Sequence, residues 1–189
     1  MGRRLIAHIA GRRLTLGAGL WLMLLAIPIA SAAEPCLKNV FGRYCLGGEI
    51  DQAVRSMPPP IARESKGSSL ALVFPDGSDT LYLLADSGRI YKVVRAYAIS
   101  TQLRFDDIYK DLRQIYGDGE DRSRFPAYAS SPAARLASIR RGEGRAIHGW
   151  NPSPEWSIEL SWTHELGVSL AYIATALAAK RAAQVESGL

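Results

Sequence analysis

The sequence predicts an α+β protein: antiparallel β-meanders packed against helices, forming a single domain over 34–189 after a signal peptide over 1–33. Three observations carry this. Apolar runs of strand length, several with a period of two, come in clusters, at 70–98 and 156–173. Stretches of helical period separate the clusters. The links within a cluster are tight turns, far too short for the crossover that a parallel pair requires.

The first element is an address. Arg3, Arg4, Arg12 and Arg13 precede the apolar run Leu14–Ile29, and Ala30-Ser31-Ala32 or Ser31-Ala32-Ala33 offers small residues for cleavage. The run is short of the roughly 20 residues of a spanning helix, and Pro28 interrupts its end. The expected location is the periplasm. The alternatives are secretion, or anchoring by an uncleaved N-terminal helix. The chain holds 23 basic and 18 acidic residues, net +5. Four of the arginines lie in 1–33, where there is no acid, so 34–189 carries +1. A nearly neutral domain gives no electrostatic case for nucleic acid. Membrane contact is expected only through the signal peptide during export.

Cys36 and Cys45 are the two cysteines, and in an oxidising compartment so close a pair reads as a disulfide stapling the segment 34–48. In "LGGEIDQAVRSMPPP", Ile50, Val54 and Met57 have helical spacing, and Pro58–Pro60 end the helix. "IARESKGSS" is polar and reads as a loop. Leu70–Phe74, Thr80–Leu84 and Ile90–Ala98, separated by "PDGSD" and "ADSGR", read as a three-stranded meander. Phe105, Ile108, Leu112 and Ile115 form the stripe of a helix, with Asp106 and Asp107 in its first turn and Gly117 as its stop. "DGEDRSRFPAYASSPA" is a long loop. Ser131 and Pro132 open a short helix as cap and first residue. Gly144–Trp150 is a candidate strand. "EWSIELSWT" and "VSLAYI" alternate cleanly as a strand pair, and an alanine-rich helix closes the chain. The order, helix plus meander twice, suggests a repeat that the residues themselves do not show.

The stretches "CLGGEIDQAV", "FDDIYKDLRQIYG" and the Trp-rich strand pair ending in "LAYI" resemble those of small exported proteins of Gram-negative bacteria. The helix-plus-meander outline is similar to the small accessory protein of the outer-membrane assembly machine and to the β-lactamase-inhibitor fold. That likeness is one of architecture and transfers no function.

Chemistry-bearing patterns are few. "THELG" lacks the second histidine of a zinc helix, and there is no G-x-S-x-G elbow. Asp118, Glu120 and Asp121 cluster without the ligand spacing of a calcium loop. Paired carboxylates, or His148 near Glu159 or Asp118, leave a small hydrolase as the alternative function. The first expectation is a non-enzymatic binding or envelope-accessory module. Its partner would be a protein or envelope component met by a sheet face or by the loop around Phe125–Tyr128.

Candidate binding residues are His148, Trp150, Trp156, Phe125, Tyr128, and the basic cluster Arg140, Arg141 and Arg145. Trp156 and Trp162 share a strand face with Ile158 and Leu160, which is core patterning. Trp150, in "HGWNPSP", must either cap the sheet or stand partly exposed as an anchor. No catalytic residue, metal ligand or cofactor is assigned.

Overall fold

Residues 36–55 and 57–187 are described in a computed structural model of the chain, and all fall within one unit of mutual contact. The predicted signal peptide lies outside the described residues.

The fold is α+β. A hairpin, β1 (Lys38–Val40) and β2 (Tyr44–Leu46), leads into a short helix α1 (Ile50–Val54). Four strands follow: β3 (Ala62–Lys66), β4 (Ser69–Asp76), β5 (Asp79–Asp86) and β6 (Arg89–Ala96). Then come α2 (Gln102–Tyr116), β7 (Glu120–Asp121), α3 (Pro132–Arg140), β8 (Ala146–Trp150), β9 (Trp156–Thr163), β10 (Gly167–Ala174) and α4 (Thr175–Ser187). Strands β3 to β10 form one antiparallel sheet in the order β3-β4-β5-β6-β10-β9-β8-β7.

That order reads the same from either edge inward. A helix followed by four strands occurs twice, and the last strand of each set, β6 and β10, pairs at the centre. This is the arrangement a two-fold axis normal to the sheet would generate, with α3 inserted between β7 and β8. The repeat is one of topology.

The cysteine segment is a hairpin, closed by the Cys36–Cys45 disulfide with a Cα–Cα distance of 5.3 Å. Its end is tied to β6 by Gly47 N–H donating to Ile90 O and Ile90 N–H donating to Gly48 O.

Two polar stretches that read as loops are edge strands. All of β3 is exposed, and it joins the sheet through backbone pairing with β4, so the first meander has four strands. In the long acidic loop, Glu120 and Asp121 pair with Gly149 and His148 as β7. Backbone hydrogen bonds at an edge require no apolar pattern.

Helix α2 starts earlier than its apolar stripe. Thr101 Oγ1 accepts from the Arg104 N–H, so Asp106 and Asp107 lie beyond the first turn. Phe105, Ile108 and Leu112 are buried as expected, whereas Ile115 is 69 % exposed. The buried stripe continues at Tyr116, four residues after Leu112, because 3.6 residues per turn carry 115 past the sheet-facing edge. At α3, the Ser131 hydroxyl accepts from the Ala134 N–H and Pro132 takes the first turn.

One face of the sheet is covered by α1 with its hairpin and by α2 with α3. A row of paired residues crosses this face: Phe74, Leu81, Arg95, Leu170, Leu160, His148, Asp121. On the left of Arg95 the core is chiefly aliphatic, with Leu72, Leu81, Leu83, Ile90 and Val93 beneath Ile50 and Leu46. On the right it is aromatic, with Phe105, Trp150 and Trp162 around Ile158 and Leu160.

Candidate functional site

The site is built by three elements over the aromatic half. In β8 the side chains of Ala146, His148 and Trp150 alternate onto the covered face. Helix α2 lays Phe105 and Tyr109, one turn apart, over the imidazole, with ring centroids 6.0 and 4.6 Å from that of His148. Helix α3 supplies Arg135, Leu136 and Ile139 as the opposite wall, and β7 places Asp121 directly across from His148. Between them lies a cavity of about 560 Å³, floored by Trp162 and flanked by Phe125. That is within the size of small-molecule sites, which are mostly apolar with a few placed polar groups.

The polar groups are distinct in their state. His148 Nδ1 is buried and, among the described residues, has no hydrogen-bond partner. The Asp121 carboxyl is held below the usual carboxylate range, first by the Ser123 hydroxyl, then by the Ser123 N–H at 2.9 Å, with the charges of His148 and Arg135 adding to it. Ser123 Oγ is itself committed, accepting from the Ile147 N–H at 3.0 Å. Asp106 accepts from the Gln102 side-chain amide at 2.7 Å. The Arg135 guanidinium lies over the Phe125 ring, 5.2 Å from its centroid.

The predicted site residues separate into groups. His148 and Phe125 line the cavity. Trp150 caps the sheet and is not an exposed anchor: it is 4 % exposed, its indole N–H donates to Gly117 O at 2.9 Å, and its ring lies flush against Gly119. The physical reason is that the loop after α2 turns back over the ring. Trp156 is half-buried on the covered face, with the Lys38 ammonium 5.0 Å from its ring centroid.

Tyr128 is exposed and donates to Glu143, while Arg141 donates to both. This trio neutralises part of the predicted basic cluster and holds the Glu143 carboxyl low, Tyr128 first and Arg141 second. Arg140 ends α3, and Arg145 pairs its backbone with Arg124.

The carboxylates proposed to accompany His148 are elsewhere. Glu159 lies on the opposite face of the sheet, 3.6 Å from Lys92, and Asp118 pairs with Arg113 at 2.5 Å. Asp121 is the acid that meets the histidine. Among the described residues no three histidines, cysteines or acids stand together as a metal site.

Sequence reasoning did not single out Tyr109, Phe105 or Arg135 as site residues. The first two were legible only as a core stripe, and nothing in the sequence marks Arg135.

A second polar feature sits at the seam of the halves. Arg95 donates to Asp76 at 2.5 Å and lies over the Phe41 ring at 4.1 Å, and its Nε is buried without a partner among the described residues. Burial first, then Tyr116 and Tyr97, push the neighbouring Tyr172 phenol up to about 12.

No protein-family model and no curated protein matches the chain. Among solved structures it is similar to an extracellular protein containing an SCP domain from Bacillus anthracis, at 11 % identity and a TM-score of 0.40. The match covers 75 % of this chain and 47 % of that one, less than half of its length. A likeness so slight does not bear on the site.

Proposed function

We propose that this chain is an exported, non-enzymatic binding protein whose ligand is a small molecule held between α2, α3 and the sheet. The observation that carries the reading is a cavity of about 560 Å³ with aromatic sides, lined by Phe105, Tyr109, Phe125, His148 and Trp162 together with the polar groups of Asp121 and Arg135. The disulfide supports export, since such bonds persist in oxidising compartments.

The hydrolase alternative rests on His148 standing across from Asp121. It is the weaker reading, because the other carboxylates it would call on are engaged elsewhere: Glu159 with Lys92 on the opposite face, and Asp118 with Arg113.

A fragment screen followed by amide chemical-shift mapping tests the binding reading. Shifts clustering at Phe105, Tyr109, Phe125, His148 and Trp162 are expected, and a screen in which no fragment moves these amides would overturn it. Export predicts that cell fractionation recovers the protein from the periplasm, shortened by about 33 residues.

A further inference from the structure

We infer that the ligand of this pocket is a cationic amine on an apolar or aromatic body. The inference rests on the binding reading above and specifies its chemistry. Two carboxylates and one guanidinium line the cavity beside His148, and their placement is what tells. Asp106 lies on α2 beside Phe105 and one turn from Tyr109, the two rings that cover the imidazole. Asp121 is the cross-strand partner of His148. Asp121 therefore flanks the histidine. The guanidinium of Arg135 sits over the Phe125 ring.

An ammonium group in this cavity meets two favourable conditions together. It finds a carboxylate at Asp121 for a charge-assisted hydrogen bond. It also lies among the rings of Phe105, Tyr109 and Trp162, aromatic groups that attract cations. A carboxylate ligand placed there would face the like charge of Asp121. A neutral alcohol would gain neither of these terms. The apolar body of the ligand then extends toward Leu136 and Ile139.

The test compares three probes that share one ring and differ in head group: 2-phenylethylamine, 2-phenylethanol and 3-phenylpropionate. Each is titrated at neutral pH into protein purified from cells expressing the full chain, with tryptophan fluorescence and amide shifts as readouts. The amine is expected to bind about tenfold more tightly than the alcohol, the usual margin of a charged over a neutral hydrogen bond, and the carboxylate weakest of all. Asp121→Asn is expected to remove that tenfold margin and leave alcohol binding unchanged. Asp121 is exposed, so the variant should fold, which its unchanged amide spectrum would confirm.

Equal or tighter binding of the alcohol or the carboxylate overturns the amine inference and leaves the binding reading standing. Amine binding as tight in Asp121→Asn as in the unaltered protein also overturns it. Failure of all three probes to shift any pocket amide counts against both readings.

Discussion

The two halves of the sheet share one topology and differ in what fills it. In the first, a five-residue helix and a disulfide-closed hairpin press onto Leu72, Leu81, Leu83 and Val93. In the second, a fifteen-residue helix crosses the same face over Trp150, Ile158, Leu160 and Trp162, and α3 enters beside it. Aliphatic side chains without polar atoms close up against a short cover. Rings that carry polar atoms, such as His148 and Trp150, need partners, and among the described residues Trp150 has one at Gly117 O while His148 Nδ1 has none.

The largest test of this contrast is paired truncation. Trp150→Ala removes a buried indole and strands the Gly117 carbonyl, and is expected to cost about 3–5 kcal/mol. Leu83→Ala, at a fully buried position of the other half, is expected to cost about 2–5 kcal/mol. Denaturant melts measure both. The comparison sharpens if the first variant also abolishes probe binding while the second, at a denaturant concentration where it is folded, binds normally.

Next comes the staple. The ten residues from Cys36 to Cys45 form a short loop, so replacing both cysteines by serine is expected to cost about 2–3 kcal/mol. The loss should appear in the global melt with the pocket amides unshifted.

Gly119→Ala follows. A Cβ there would stand 2.6 Å from the Trp150 ring, so the loop or the ring must move, at about 1–3 kcal/mol. The expected sign is a drop in Tm together with shifts at Tyr109 and His148. A neutral result would mean that the loop yields freely and that Trp150 is not its anchor.

The smallest effect concerns acid. Asp86 is buried in the first half, where the Ser68 hydroxyl first, then those of Ser87 and Ser69 and the Arg181 charge, hold its carboxyl below the ordinary value against the opposing effect of burial. A folded-state value below the unfolded one stabilises the fold above the ordinary carboxylate range. That stabilisation is lost as pH falls from about 3.8 through the folded value. Asp86→Asn should flatten the acid limb of the stability curve, measured by urea melts between pH 5 and 2. An unchanged limb would place the acid sensitivity elsewhere.

Much of the fold was legible because alternation and turns are local. Trp156 and Trp162 fell on the covered face with Ile158 and Leu160, and Ser131-Pro132 opened α3. The edge strands β3 and β7 were not legible, since their places depend on backbone pairing with distant strands and not on their own side chains. The site was legible only in part. His148 and Phe125 were singled out, but Glu159 and Asp118 were the wrong companions. Glu159 is the neighbour in register of Gly149, and a one-residue offset in a strand puts it on the other face.

The sequence by itself determined which side chains share a face, where the chain turns and that two meanders alternate with helices. Those properties follow from periods of 2 and 3.6 along a single segment. Only the tertiary structure decided that β6 and β10 join the halves, that Asp121 meets His148, and that Trp150 turns inward under Gly119. Each of these is a pairing between segments far apart in the chain. Such pairings are settled by the packing and hydrogen bonding of the whole sheet, to which no single stretch of residues holds the key.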